Sequence, residues 1–154
     1  MRLGQDFLVT ARRLSRANPS RPRQADLKRA ISTAYYALFH TLAHESADRF
    51  IGTGNNASKQ AWVQVYRALD HRFAKDAGQR AKKLGFPKEI VNFADTFRDL
   101  QEERHRADYD PSARFTRGDA LIAVANAEQA MADLRNAPKQ DRAAFAALVL
   151  FKRR

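Results

Sequence analysis

Four side chains that could act together on a phosphate group follow one another at helical spacing. Arg98, Glu102, His105 and Tyr109 would lie within about 60° of one another on a helix that turns 100° per residue. A guanidinium can hold a phosphate through two hydrogen bonds, and an imidazole can transfer a proton near neutral pH. With Glu102 orienting His105 and Tyr109 donating a hydrogen bond to the substrate, this set is sufficient for metal-independent cleavage of RNA by its own 2′-hydroxyl.

Arg104 occupies an unusual position in the same segment. At helical spacing it is aligned with apolar residues such as Phe97 and Leu100. An unpaired charge is costly among apolar side chains, so Asp108, four residues further on, is the expected partner. Two interpretations remain open. Arg104 is either a second phosphate-holding cation or half of a structural ion pair, in which case the neighbouring charges form a solvated face.

A second polar row consists of Tyr36, His40 and His44, at intervals of four residues. Two histidines at this spacing can chelate a metal ion, but the sequence shows no third ligand. We therefore expect no metal site and no cofactor. Packing of His40 beside Tyr36, or a hydrogen bond within the fold, is the expected alternative.

The composition excludes several classes of protein. The chain has no cysteine, which excludes disulfide scaffolds, iron–sulfur sites and cysteine nucleophiles. The longest apolar run, Ala143 to Phe151, is much shorter than the ~20 residues of a membrane helix. The first six residues lack the apolar core of a signal peptide. We therefore expect a cytoplasmic protein that does not associate with membranes.

The chain is strongly basic, with 28 Lys and Arg against 17 Asp and Glu and a formal charge of +11. Residues 1–30 hold eight of the basic residues and only two acids. Such clusters attract the phosphates of nucleic acids, although a generally basic surface is the alternative explanation. The residues predicted to bind nucleic acid are Arg12, Arg13, Arg16, Lys28, Arg29 and Arg106.

Apolar residues recur with the period of an α-helix, and no stretch alternates as a β-strand would. Thr116 and Asp119 have the spacing of a helix-capping pair. The pattern predicts a single all-α domain over residues 1–154, an antiparallel helical bundle of five to six helices. The predicted helices cover residues 6–17, 24–50, 58–77, 87–108, 117–136 and 139–153.

Two segments resemble the signature sequences of HEPN domains, nucleotide-binding domains shared by higher eukaryotes and prokaryotes. The first is LKRAISTAYYALFH, residues 27–40, and the second is RHRADYDP, residues 104–111. The resemblance extends over residues 5–135. It implies a helical bundle that forms homodimers. Many members of the family are metal-independent endoribonucleases of toxin–antitoxin or defence systems, and others bind RNA or a partner without turnover.

The resemblance implies an Arg-x4-6-His catalytic motif, which this chain matches in two ways. Arg98 and His105 satisfy its loosest spacing. Alignment on the second segment instead places Arg104 at the arginine and Tyr109 at the histidine. Because a phenol has a pKa of ~10, Tyr109 would be a poor general base at neutral pH. The sequence leaves both alignments open.

We therefore expect a HEPN-type protein that acts on RNA, either as an endoribonuclease or as a module that binds RNA, a nucleotide or a protein partner without turnover. In the first case Arg98 and Arg104 would hold the phosphate and His105 would transfer protons. The expected partners are RNA, a second copy of the chain, and an antitoxin or a nucleotidyltransferase.

Overall fold

The computed structural model describes residues 2–154, which form seven α-helices and no strand. The all-α helical bundle predicted from the sequence is thereby confirmed. The helices are α1 (Leu3–Arg16), α2 (Gln24–Ile51), α3 (Lys59–Arg67), α4 (His71–Gly78), α5 (Lys88–Tyr109), α6 (Arg117–Asn136) and α7 (Lys139–Leu150).

The long helix α2 lies at the centre and packs against α1, α3, α5, α6 and α7. Leu27, Ile31, Tyr35, Leu38 and Leu42 are almost completely buried along it. Burying a large apolar side chain stabilises a fold by about 1.5–3 kcal/mol. Because neighbours cover α2 on several sides, its apolar residues are not confined to one stripe.

The first helix approaches α2 very closely at Gly4. A Cβ atom at this position would overlap the hydroxyl of Thr41 and lie 3.0 Å from the carbonyl oxygen of Ala37. Only a residue without a side chain fits between the two helices here. The buried Leu8 and Ala11 continue the same contact further along α1.

The structure differs from the predicted helix over residues 58–77, which is divided into α3 and α4. Asp70 has an extended backbone, and its carboxylate accepts a hydrogen bond from the backbone N–H of Phe73 at 2.8 Å. An aspartate that caps a new helix in this way competes with continuation of the preceding one. The buried Leu69 holds the connection against the core. As a result, His71 is the first residue of α4.

The ends of the other helices agree with local sequence signals. Thr116 and Asp119 form the predicted capping box, in which each side chain bonds the backbone N–H of the other residue. The last helix ends at Leu150, and its Phe145 packs edge-on against Phe86 and Phe93. Within residues 2–154, no helix has the length and apolarity needed to span a membrane.

A buried ion pair attaches α7 to α2. Glu45 is only 8% exposed, and its Oε1 atom lies 3.2 Å from Nη1 of Arg142 and 3.2 Å from Nε of Arg49. Removing one partner of a buried pair leaves the other charge poorly compensated.

We predict that Arg142→Met lowers the free energy of unfolding by about 1–3 kcal/mol, because Glu45 then keeps only Arg49 as a partner. Chemical denaturation monitored by circular dichroism measures the change. Arg135→Met removes an exposed arginine near the end of α6 and is the matched control, with little expected effect. Equal stabilities of the two variants would contradict a role for Arg142 in holding α7.

Candidate nucleic-acid interface

Polar side chains follow α2 at intervals of four residues. Neighbours at this spacing lie on adjacent turns of a helix. We call these side chains the α2 polar row: Lys28, Ser32, Tyr36, His40, His44 and Asp48. Along an otherwise buried helix, each of these groups needs a partner.

The first three members of the α2 polar row bond to the last part of α5 and to Asp110, the residue that follows it. Residue numbers on α5 fall as those on α2 rise, so the two helices run antiparallel. The bonds join Lys28 Nζ to the carbonyl of Asp110 (3.3 Å), Ser32 Oγ to the carboxylate of Asp108, and Arg104 Nη2 to the hydroxyl of Tyr36 (3.0 Å).

Arg104 is held firmly at the centre of this contact. Its side chain is 15% exposed, and its Nε atom lies 3.2 Å from Oδ2 of Asp108. The guanidinium carbon is 5.4–5.8 Å from the ring centres of Tyr35, Tyr36 and Tyr109, a distance at which a cation is attracted to an aromatic face. The ion pair with Asp108 therefore exists, and aromatic rings surround the cation.

One edge of the Arg104 guanidinium is left for a ligand. Nη1 forms no hydrogen bond within residues 2–154 and is not among the atoms buried from solvent. Nε is buried, and its N–H is not directed at the Asp108 oxygen, so that contact is ionic. A fixed guanidinium with an accessible edge is suited to binding an anionic oxygen.

A histidine from another helix lies beside the same tyrosines. Nδ1 of His71 is 2.6 Å from the hydroxyl of Tyr35, and the His71 ring stacks on Phe39 with a centroid distance of 3.9 Å. The ring centre is also 6.1 Å from that of Tyr36. Burial lowers the pKa of His71 below its ordinary value, and the charge of Arg104 lowers it further. His71 is therefore neutral at neutral pH.

Sequence reasoning missed His71 because it extended one helix through this segment. The signal that could have found it is Asp70, a common capping residue placed directly before a histidine. The ring of His71, at the first position of a short helix, is oriented by its hydrogen bond with Tyr35 and by stacking on Phe39.

The two histidines of the α2 polar row have partners inside the bundle. His40 Nδ1 lies 2.5 Å from the hydroxyl of Tyr66, and its ring stacks on Phe7 at 4.9 Å. His44 Nε2 lies 3.3 Å from Asp48 Oδ2, whose other oxygen accepts a hydrogen bond from the indole of Trp62 at 2.9 Å. In the part of the chain that the structure describes, no three potential metal ligands gather.

The residues proposed for catalysis do not all come together. Arg98 contacts Asp95, Asp99 and Gln79, which turns it toward the end of α4. Glu102 and His105 are exposed, and no hydrogen bond joins them. The ring of His105 is 4.9 Å from that of Tyr109, which in turn lies against Arg104. The structure therefore groups Arg104, His105 and Tyr109.

The predicted nucleic-acid-binding residues differ in how far they are already engaged. Arg12 pairs with Glu128, Arg106 pairs with Glu103 at 3.2 Å, and Lys28 bonds to Asp110. Arg13, Arg16 and Arg29 are exposed and form no ion pair within residues 2–154. Of the whole set, Lys28 is itself bonded within the α2–α5 contact, and Arg106 lies two residues from Arg104.

Comparison of the chain with protein-family models, with curated proteins and with solved structures finds no match. Any functional assignment therefore depends on the geometry of the site and on the sequence segments that build it.

The partly buried histidines predict a specific dependence of stability on pH. Burial is the leading cause that lowers the pKa of His40, His44 and His71 below the ordinary value of 6.5. The unfolded chain therefore takes up protons first as the pH falls below 6.5, and the folded state loses stability relative to it. The stabilising contribution is complete above pH 6.5 and declines toward the folded-state pKa values.

We predict that the free energy of unfolding falls between pH 7 and pH 5, by at most ~1.4 kcal/mol per pH unit for each histidine. His40→Gln should reduce this slope, because one titrating group is removed. His105→Gln, which changes an exposed ring, is the control. Urea titrations at several pH values measure the slope, and identical slopes for wild type and His40→Gln would contradict the prediction.

Proposed function

We propose that this chain is a HEPN-type protein that acts on RNA and that Arg104 is its main phosphate-binding group. The observation that carries the proposal is the state of the Arg104 guanidinium. Tyr36 and Asp108 fix it, while Nη1 remains accessible to solvent. A cation that is already positioned loses little conformational entropy when it binds a phosphate.

The two segments that resemble HEPN signatures are in contact with each other, which supports the proposal. Residues 27–40 supply Lys28, Ser32 and Tyr36 on α2, and residues 104–111 supply their partners on α5. The similarity of sequence therefore coincides with one site rather than with two separate regions of the core.

The surroundings of Arg104 are suited to a nucleic acid. Tyr109 is 64% exposed and lies against the guanidinium, so its ring is available to stack on an unpaired base. The formal charge of +11 attracts RNA at long range.

Metal-independent cleavage of RNA is the second candidate function, and His105 is the observation that favours it. The exposed imidazole ring and the Arg104 guanidinium carbon lie 4.9 Å and 5.8 Å from the ring centre of Tyr109. His105 would take the proton of the ribose 2′-hydroxyl as its oxygen bonds to phosphorus and the bond to the 5′-oxygen breaks. The departing 5′-oxygen takes a proton from solvent water, and His105 afterwards returns its proton to the solvent. The products are a 2′,3′-cyclic phosphate and a 5′-hydroxyl.

The remaining partners follow from the resemblance and stay predictions. These are a homodimer and an antitoxin or nucleotidyltransferase partner in a prokaryotic defence system. A cytoplasmic location likewise stays a prediction.

We predict that Arg104→Gln weakens binding of a fluorescein-labelled single-stranded RNA at least tenfold, because it removes a fixed phosphate contact. It should also reduce the salt dependence of binding by about one unit in the slope of log K against log salt. Fluorescence anisotropy at several salt concentrations measures both quantities.

Arg135→Gln, an exposed charge near the end of α6, is the control for net charge. Thermal melting of each variant establishes that it is folded. A loss of affinity in Arg98→Gln but not in Arg104→Gln would contradict Arg104 as the phosphate group and favour the other alignment of the motif.

For the cleavage reaction we predict that wild-type protein in EDTA releases fragments ending in 2′,3′-cyclic phosphate and that His105→Gln does not. Gel analysis of end-labelled RNA identifies the products. Binding without any cleavage by the wild type would contradict the nuclease function and leave the binding function in place.

A further inference from the structure

Tyr35 and His71 form a hydrogen-bonded pair, of which Tyr35 lies in the first HEPN-like segment and His71 lies outside both segments. Tyr35 is 0% exposed, so its hydroxyl group is shielded from bulk solvent. Its hydroxyl has one hydrogen-bond partner within residues 2–154, which is Nδ1 of His71 at 2.6 Å. Burial raises the pKa of Tyr35 far above its ordinary value, so the hydroxyl keeps its proton.

This pairing determines where the proton of His71 resides. A buried hydroxyl hydrogen without an acceptor is costly, and Nδ1 is the acceptor within reach. Tyr35 therefore donates to Nδ1. The neutral imidazole must then carry its own proton on Nε2.

The Nε2 side of the ring is left open. Nε2 of His71 forms no hydrogen bond within residues 2–154, and it is not among the atoms buried from solvent. Tyr35 and Tyr36 each lie within about 6 Å of both the His71 ring and the Arg104 guanidinium. The Nε2 side of His71 and the Nη1 side of Arg104 are therefore parts of two groups that both lie beside Tyr35 and Tyr36.

We propose that His71 is a second phosphate-binding group of the Arg104 site and that it binds as a neutral donor through Nε2–H. This inference rests on the proposed function, because it assigns a further contact to the same RNA-binding site. Arg104 supplies the charge, and His71 supplies a directional hydrogen bond to a phosphate oxygen without adding a charge.

The surroundings of His71 oppose its protonation. A second proton would reside on Nδ1, so Tyr35 would have to accept a hydrogen bond and its own hydrogen would lose its partner. Arg104 from α5 and His40 from α2 also disfavour a positive charge here, and only Asp70 favours one. The neutral form is therefore the one that meets the ligand.

The salt dependence of RNA binding distinguishes a neutral hydrogen-bond donor from a charged one, because only loss of a charge changes the slope of log K against log salt. His71→Leu should weaken binding of the labelled RNA by about tenfold with an unchanged salt slope, because no charge is lost. His71→Gln, whose amide can place an N–H near the position of Nε2, should stay within about threefold of wild type. Arg104→Gln, in contrast, lowers both affinity and slope.

Nitrogen-15 NMR of the histidine rings tests the donor directly, with inorganic phosphate as the probe. The expected tautomer of His71 at pH 7.5 carries hydrogen on Nε2, and phosphate should shift this signal in wild type but much less in Arg104→Gln. The signal of His44, whose ring is paired with Asp48 and is not part of the proposed phosphate site, serves as an internal reference for general salt effects.

Each outcome bears on one of the two proposals. A proton on Nδ1, a phosphate titration that leaves Nε2 unshifted, or full RNA affinity in His71→Leu would overturn the role of His71. If Arg104→Gln still weakens RNA binding in those cases, the proposed function stands. If RNA binding is independent of Arg104 while phosphate still shifts Nε2, the proposed function fails and His71 remains an anion-binding group.

Discussion

The polar groups of α2 must find partners, and this requirement organises the molecule. A central helix enclosed by five others leaves few of its side chains to water. Each member of the α2 polar row is therefore bonded to a group on a neighbouring element or on the next turn. Bonds from Lys28, Ser32 and Tyr36 set the register of α5, and bonds from His40 and Asp48 attach α3. The packing of α3 and α5 on α2 is therefore correct only when the α2 polar row has all its hydrogen-bond partners.

The same condition explains why the charge of Arg104 has partners on several sides. Partial burial of Arg104 costs free energy, which Asp108 and the tyrosine rings offset. Much of the excess positive charge is far from Arg104 in the sequence, in residues 1–30, of which Lys28 is bonded at this contact.

Much of the fold could be predicted from the sequence because its signals are local. Helical periodicity, the Thr116 cap and the spacing of Arg104 and Asp108 all involve residues within a few positions of each other. The partners of Arg98 could not be predicted, because Gln79 comes from another helix. The orientation of His71 could not be predicted for the same reason, since the hydroxyl that orients it is 36 residues away. Arg104, Asp108, His105 and Tyr109 of the candidate site were all singled out from the sequence, because they lie within six positions of one another. Tyr35 and His71 were not, because they come from two other helices.

The close contact of α1 with α2 at Gly4 also affects residues that Gly4 does not touch. With no side chain at this position, the axes of α1 and α2 come near enough for Phe7, less than one turn later, to cover His40. A larger residue would push the start of α1 outward and lift that ring from the imidazole. Gly4 therefore controls the hydration, and through it the basicity, of a histidine on another helix.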